Sequence, residues 1–187
     1  MAAKLTYVED SLPGGVTRRL AAAILYVCAA CETDAAFGAT RLNKTLFEAD
    51  FLSFRSRGVP ITGARYQRLA KGPAPKAMPH IVRELVAEGA LHLRKQDFLG
   101  RLQHKLIALG NPDLSLFSGE DIAFLDTVIR ESWGKTAVEV SDASHRIEWR
   151  SRSNGDEIPY EASWLSNERP AESDIDRTTE LAAQYGW

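Results

Sequence analysis

Cysteine is nearly missing from this chain of 187 residues, which has only Cys28 and Cys31. That excludes a secreted disulfide scaffold, which needs several bridges in place of a core. Long apolar runs are missing as well: the longest, residues 20–31, falls well short of the ~20 residues that cross a bilayer. Neither sign of charge dominates, because the net charge is −2, and this excludes a generic nucleic-acid coat. Glycine (13) and proline (8) are too few for a collagen-like or low-complexity chain. What remains is an ordinary globular composition, 44% hydrophobic and 26% charged. A chain of this length buries about 70% of its unfolded surface, enough for one core without metals or disulfides. The expected organisation is one domain over residues 1–165, opening with a lead-in punctuated by Pro13-Gly14-Gly15. An acidic extension over 166–187 follows it.

The balanced total hides an uneven distribution. Residues 1–40 carry a net charge of −1, residues 41–105 carry +8, and residues 106–187 carry −9. A basic centre with an acidic end fits either a surface for an anionic partner or an electrostatic contact between the two parts. Two solvated faces would give the same numbers.

Thr17-Arg18-Arg19 before the apolar run, and Ala29-Ala30-Cys31 at its end, superficially resemble an export signal. The run also places Leu20, Ile24, Val27 and Cys31 on one helical stripe. A packed helix in a cytoplasmic protein without a membrane span is therefore the expectation. Cys28 and Cys31 spell C-x-x-C, a spacing used in redox and zinc sites. A thioredoxin-like pair opens a helix after a strand, whereas these cysteines lie inside an Ala-rich helix. No His or Cys occurs in the forty residues after Cys31, so the further ligands of a zinc site are lacking. Both thiols read as small buried residues, with no metal.

Periodicity and punctuation predict a mainly α fold with a small antiparallel β-sheet (α+β). The first helix is expected over 17–33 with Thr17 as cap. The second is expected over 41–56 with Thr40 as cap, Leu42, Leu46, Phe47, Phe51 and Phe54 as its apolar face, and Gly58 as its end. A strand over 64–70 leads to a break at 71–75, with Pro75 in the first turn of a third helix over 76–88. A hairpin over 91–109 comes next, completing a winged-helix-like helix–helix–hairpin centre. Ser118 with Asp121 is a capping-box pattern for a fourth helix, and Thr136 caps a short fifth. The tail carries one weak stripe, Ile175, Leu181 and Tyr185.

No catalytic set emerges. The chain has no G-x-S-x-G, Walker A, H-E-x-x-H or G-x-G-x-x-G. Gly72-Pro73-Ala74-Pro75 is unsuited to a phosphate loop, since prolines lack the N–H groups such loops use. Glu48 and Asp50, two apart on a helix, point to different faces. His145 and Asp142 have no nucleophile tied to them by pattern. His92 and His104 are expected to face each other across the hairpin. They are the only feature that speaks for a metalloenzyme or small-molecule hydrolase. The basic centre supports a second reading, a DNA-binding regulator touching phosphates through Arg83, Arg94, Lys95, Arg101 and Lys105. Lys44 and Asp50 are charges within the most apolar helix, where each needs a partner.

The run Arg41-Leu42-Asn43-Lys44-Thr45-Leu46-Phe47-Glu48-Ala49-Asp50-Phe51 resembles the L-x-K-L-L-Y-x-A-D helix of the SocA-like antitoxin domain, also called Panacea. Gly58-Val59-Pro60-Ile61-Thr62-Gly63-Ala64-Arg65-Tyr66 resembles that family's G-x-P-I-T-G-x-x-Y, and Gly72-Pro73-Ala74-Pro75 its G-P-x-P turn. Phe117-Ser118 with Glu120, Ser144-His145, Trp149 and Ile158-Pro159-Tyr160 follow in the family's order. The resemblance covers about residues 17–165. It departs from the pattern at Thr45 and Phe47-Glu48, where Leu and Tyr are preferred. It implies a non-catalytic binding domain that neutralises a cognate toxin encoded beside it, in one branch by handing the toxin to the ClpXP protease. By motif it singles out Lys44, Asp50, Tyr66, Pro73, His145 and Trp149 as residues that bind the partner or shape its groove. No cofactor is implied.

Overall fold

The structure, a computed structural model of the chain, describes residues 12, 14–144, 147–165 and 171–186. Helix α1 (Gly15–Ala30) starts at Gly14 in the left-handed conformation, and the expected cap Thr17 sits inside its first turn. Helix α2 (Ala39–Arg57) starts at Gly38, so Thr40 lies within the helix and not at its cap. The two starts are displaced because glycine, and no side chain, makes each entry turn. At Gly38 a Cβ would meet the Gln103 side chain at 2.9 Å and the His104 carbonyl at 3.1 Å, so only glycine lets the hairpin come this close. Gly58 ends α2 at φ 77°, as the sequence predicts.

Strands β1 (Tyr66–Leu69) and β2 (Gly72–Pro75) form a tight antiparallel ribbon, and β5 (Glu157–Ile158) pairs with the other side of β1. The expected break at 71–75 is thus mostly a strand. It tolerates Pro73 and Pro75 because β2 is the edge, and residues two apart turn their missing donors to the same, unpaired side. Pro75 consequently is not helical. Helix α3 (Met78–Ala87) has Pro79 in its first turn and is followed by Gly89 at φ 73°.

The second sheet is the hairpin β3 (Leu91–Phe98) and β4 (Arg101–Ala108). Two sheets, three-stranded and two-stranded, therefore replace a single small one. The helix–helix–hairpin order is present, with the β1–β2 ribbon inserted between its two helices. Helix α3 packs on α1 and β3, while α2 packs on β2 and on α4 (Gly119–Ser132). The capping box of α4 is formed as expected, Ser118 accepting from the Asp121 amide at 3.1 Å and Asp121 from the Ser118 amide at 2.9 Å. Thr136 likewise caps α5 (Ala137–Ser144), with Glu139 reaching back to its amide at 2.7 Å. Helix α6 (Ile147–Arg150) and a 3-10 turn over Tyr160–Trp164 follow, and α7 (Glu172–Tyr185) ends the chain without a buried residue.

The core runs from Leu20 to Ala162, with α2 at its centre. Phe47, Phe51 and Phe54, spaced four and three apart, form one face of that helix. Phe47 lies 4.0 Å from Phe51, and the three pack on Tyr66, Tyr160 and Trp164 at centroid distances of 4.9–5.6 Å, pairs worth roughly 0.5–1.5 kcal/mol each beyond their burial. Among the described residues no helix is long and apolar enough to cross a membrane.

Candidate functional site

Asp50 lies on the same face of α2 as Phe47 and Phe54 and is completely buried. A lone carboxylate there would be prohibitive, and the segment after α2 supplies its donors. The Thr62 amide donates at 2.7 Å, the Thr62 hydroxyl donates as well, and the Tyr66 hydroxyl donates at 2.8 Å. The Tyr160 hydroxyl lies 3.3 Å from the same carboxylate and donates to the Ala64 carbonyl at 2.7 Å. Burial pushes the Asp50 carboxyl above its ordinary pKa, and the Thr62 and Tyr66 hydrogen bonds only partly reverse this. Burial, then the Asp50 charge, raises the Tyr66 phenol in turn. The 58–66 motif is thus a strap. Gly58 turns the chain, Ser53 accepts from Arg57 and donates to the Val59 carbonyl at 2.7 Å, and Thr62 and Tyr66 fasten the strap to Asp50. Lys44 is also buried in α2.

Two further charged knots close the core, and the sequence did not reveal them. Arg41 donates to Asp34 at 2.7 Å and to the Ser132 hydroxyl at 3.3 Å, while the Gly134 and Ala36 amides donate to the same aspartate at 3.0 and 2.9 Å. Burial opposes Asp34 ionisation, but these amides and the guanidinium outweigh it and hold its pKa below the ordinary 3.8. Arg19 bonds to Asp121 at 3.1 Å and to the Ile61 carbonyl at 2.6 Å, and Arg57 pairs with Asp121 from the other side. Burial again opposes the Asp121 charge, yet the Ser118 amide, Arg57 and Arg19 leave its pKa lowered.

The remaining residues singled out above scatter. Pro73 is buried in β2. Trp149 donates from Nε1 to the Leu69 carbonyl at 3.2 Å and carries the Arg68 guanidinium 4.2 Å over its ring, at the far end of β1 from Tyr66. His145 lies outside the described residues. Within the set, Asp50 and Tyr66 are brought into direct contact.

The basic residues of the centre do not make one surface. Lys105 is buried, its Nζ donating to the carbonyls of Glu32 and Asp34 at 2.8 and 3.0 Å, so it is withdrawn from any phosphate. Cross-strand register puts Arg94 and Arg101 on the hairpin face that Lys105 occupies, and Lys95 on the other; Arg83 is exposed on α3. The expected histidine pair is absent as well. Register sets His104 opposite Lys95 and His92 opposite Ile107, and no cluster of three or more metal-ligating side chains occurs among the described residues.

What the surface does offer is a groove of about 860 Å³ where four elements converge: the start of α2, the β1–β2 turn, the hairpin tip and the start of α5. Phe98, Leu99, Leu102 and Val138 supply its apolar lining, with Lys71 and Arg101 among the polar residues. The model of one protein family, antitoxin SocA-like, Panacea domain, matches residues 42–150. The chain belongs to this family. Comparison with curated proteins and with solved structures finds no match. The Panacea match begins in α2 and ends with α6. It takes in the strap, the ribbon, the hairpin and most of the groove.

Proposed function

We propose that this Panacea protein is the antitoxin of a toxin–antitoxin pair, a cytoplasmic binding protein that neutralises a cognate toxin encoded beside it by direct contact. The observation that supports this reading is the family match over residues 42–150, joined to a surface where three of the five most exposed large apolar side chains among the described residues meet at one groove. Leu99 is 77% exposed, Leu102 70% and Val138 60%. Apolar side chains gathered on a surface mark a protein interface more often than a chance arrangement. The buried Asp50 assembly belongs to the scaffold that holds this surface.

Coexpression with the neighbouring open reading frame tests the proposal. Growth arrest by the neighbour alone, relief by this protein and co-elution of the two on size exclusion are the expected results. A harmless neighbour, or arrest that persists beside soluble protein, overturns it. Hand-over to ClpXP, the finer step implied by the resemblance, predicts a toxin half-life that shortens on coexpression only in cells that have the protease.

A further inference from the structure

Leu99 and Gly100 are the two central residues of the β3–β4 turn, with φ of 54° and 73°. Positive φ at both positions defines a type I′ turn, for which Asn-Gly is the favoured pair. Leucine there is costly, because a branched side chain in the left-handed region clashes with its own backbone. Leu99 is the only residue besides glycine in that region among the described residues, and it is also the most exposed of their large apolar side chains. Folding gains nothing from either property. A side chain that strains its turn and faces solvent has its use outside the fold.

The charge around it is one-sided. Sixteen residues line the groove, and none is Asp or Glu, whereas Lys71 and Arg101 are exposed at its edge. Helix α2 opens into it with no side-chain cap and no acidic residue in its first turn, leaving the positive end of its dipole facing the groove.

We propose that this groove is the docking cleft for the toxin and that it takes an acidic segment with apolar anchors: carboxylates against Arg101, Lys71 and the start of α2, and apolar side chains against Leu99, Phe98 and Val138. This rests on the antitoxin reading and names the partner's chemistry at its site. Exposed leucines in its lining disfavour a phosphate backbone, which has nothing to place against them.

The test uses the full chain and the product of the neighbouring open reading frame. Leu99→Asn relieves the turn, so its thermal midpoint should equal or exceed that of the wild type, while affinity for the toxin falls about tenfold or more. Arg101→Glu with Lys71→Glu should weaken binding by a similar factor at low salt, and Arg101→Lys should not. Leu114→Asn, an exposed leucine outside the groove, serves as the control and should leave affinity unchanged. Wild-type relief of toxicity with full affinity in Leu99→Asn overturns the groove and leaves the antitoxin reading standing. Lack of relief by the wild type overturns both. Loss with Leu99→Asn but not with charge reversal overturns the acidic chemistry. Displacement of the toxin by duplex DNA, with affinity falling steeply in salt, would assign the groove to nucleic acid instead.

Discussion

At the scale of single residues, buried charge governs the molecule. Asp50 receives donors from Thr62 and Tyr66, so Asp50→Ala would orphan all of them. Such a loss costs about 3–5 kcal/mol, to be read from urea denaturation. Its raised pKa has a definite sign. A carboxyl that protonates more readily in the folded state loses stability as pH rises from its ordinary 3.8 through the raised value. Asp50→Asn has no such dependence, so its stability relative to wild type should improve as pH climbs through that window. An unchanging difference would show that Asp50 keeps an ordinary pKa. Asp50 and Lys44 were legible as anomalies, since charge inside an apolar stripe demands an explanation. Arg19 and Arg41 were not. Each sits at a helix start where a basic residue looks solvated, and only the long-range arrival of Asp121 at Arg19, and of Ser132 and Gly134 at the Arg41–Asp34 pair, shows them to be interior.

Among the elements, those written in local chemistry were readable: the Ser118–Asp121 box, the Thr136 cap, the Gly58 stop. Each depends on residues within four positions. Elements written in pairing were not. Strand β2 looked like a breaker because its prolines are unfavourable in every strand except an edge, and edge status follows from β5, which takes the other side of β1 from far along the chain. Register hid the fate of the hairpin histidines in the same way. Gly58 allows a clean measurement at this scale. A Cβ there meets nothing within 4 Å, yet φ is 77°, so Gly58→Ala should cost about 1 kcal/mol from backbone strain alone. A larger loss would mean that the strap had shifted with it.

For the whole molecule, acid is the expected route to unfolding. Asp34 and Asp121 both have lowered pKa values, so the stability they contribute is complete above about pH 4 and drains away as pH falls below 3.8. Protonation would leave Arg41 and Arg19 charged and unpaired in the interior, and the transition should therefore be cooperative. The acidic end makes the opposite prediction. Helix α7 has no fully buried residue, although Leu181 and Ala182 are half-buried, so truncation before Ala171 should move the thermal midpoint by no more than about 2 °C. A larger drop would mean that α7 packs on the body in solution.

The two thiols have a practical use. Cys28 in α1 and Cys31 at its C-cap are buried, and burial raises their pKa to about 12 and about 11. Only a thiolate reacts at an appreciable rate, so a maleimide or disulfide reagent should find no target in the folded protein and two in the unfolded one. Reagent uptake would then time global opening directly. A cysteine introduced by Leu99→Cys at the hairpin tip would take up a fluorophore alone, reporting occupancy of the groove against a silent background.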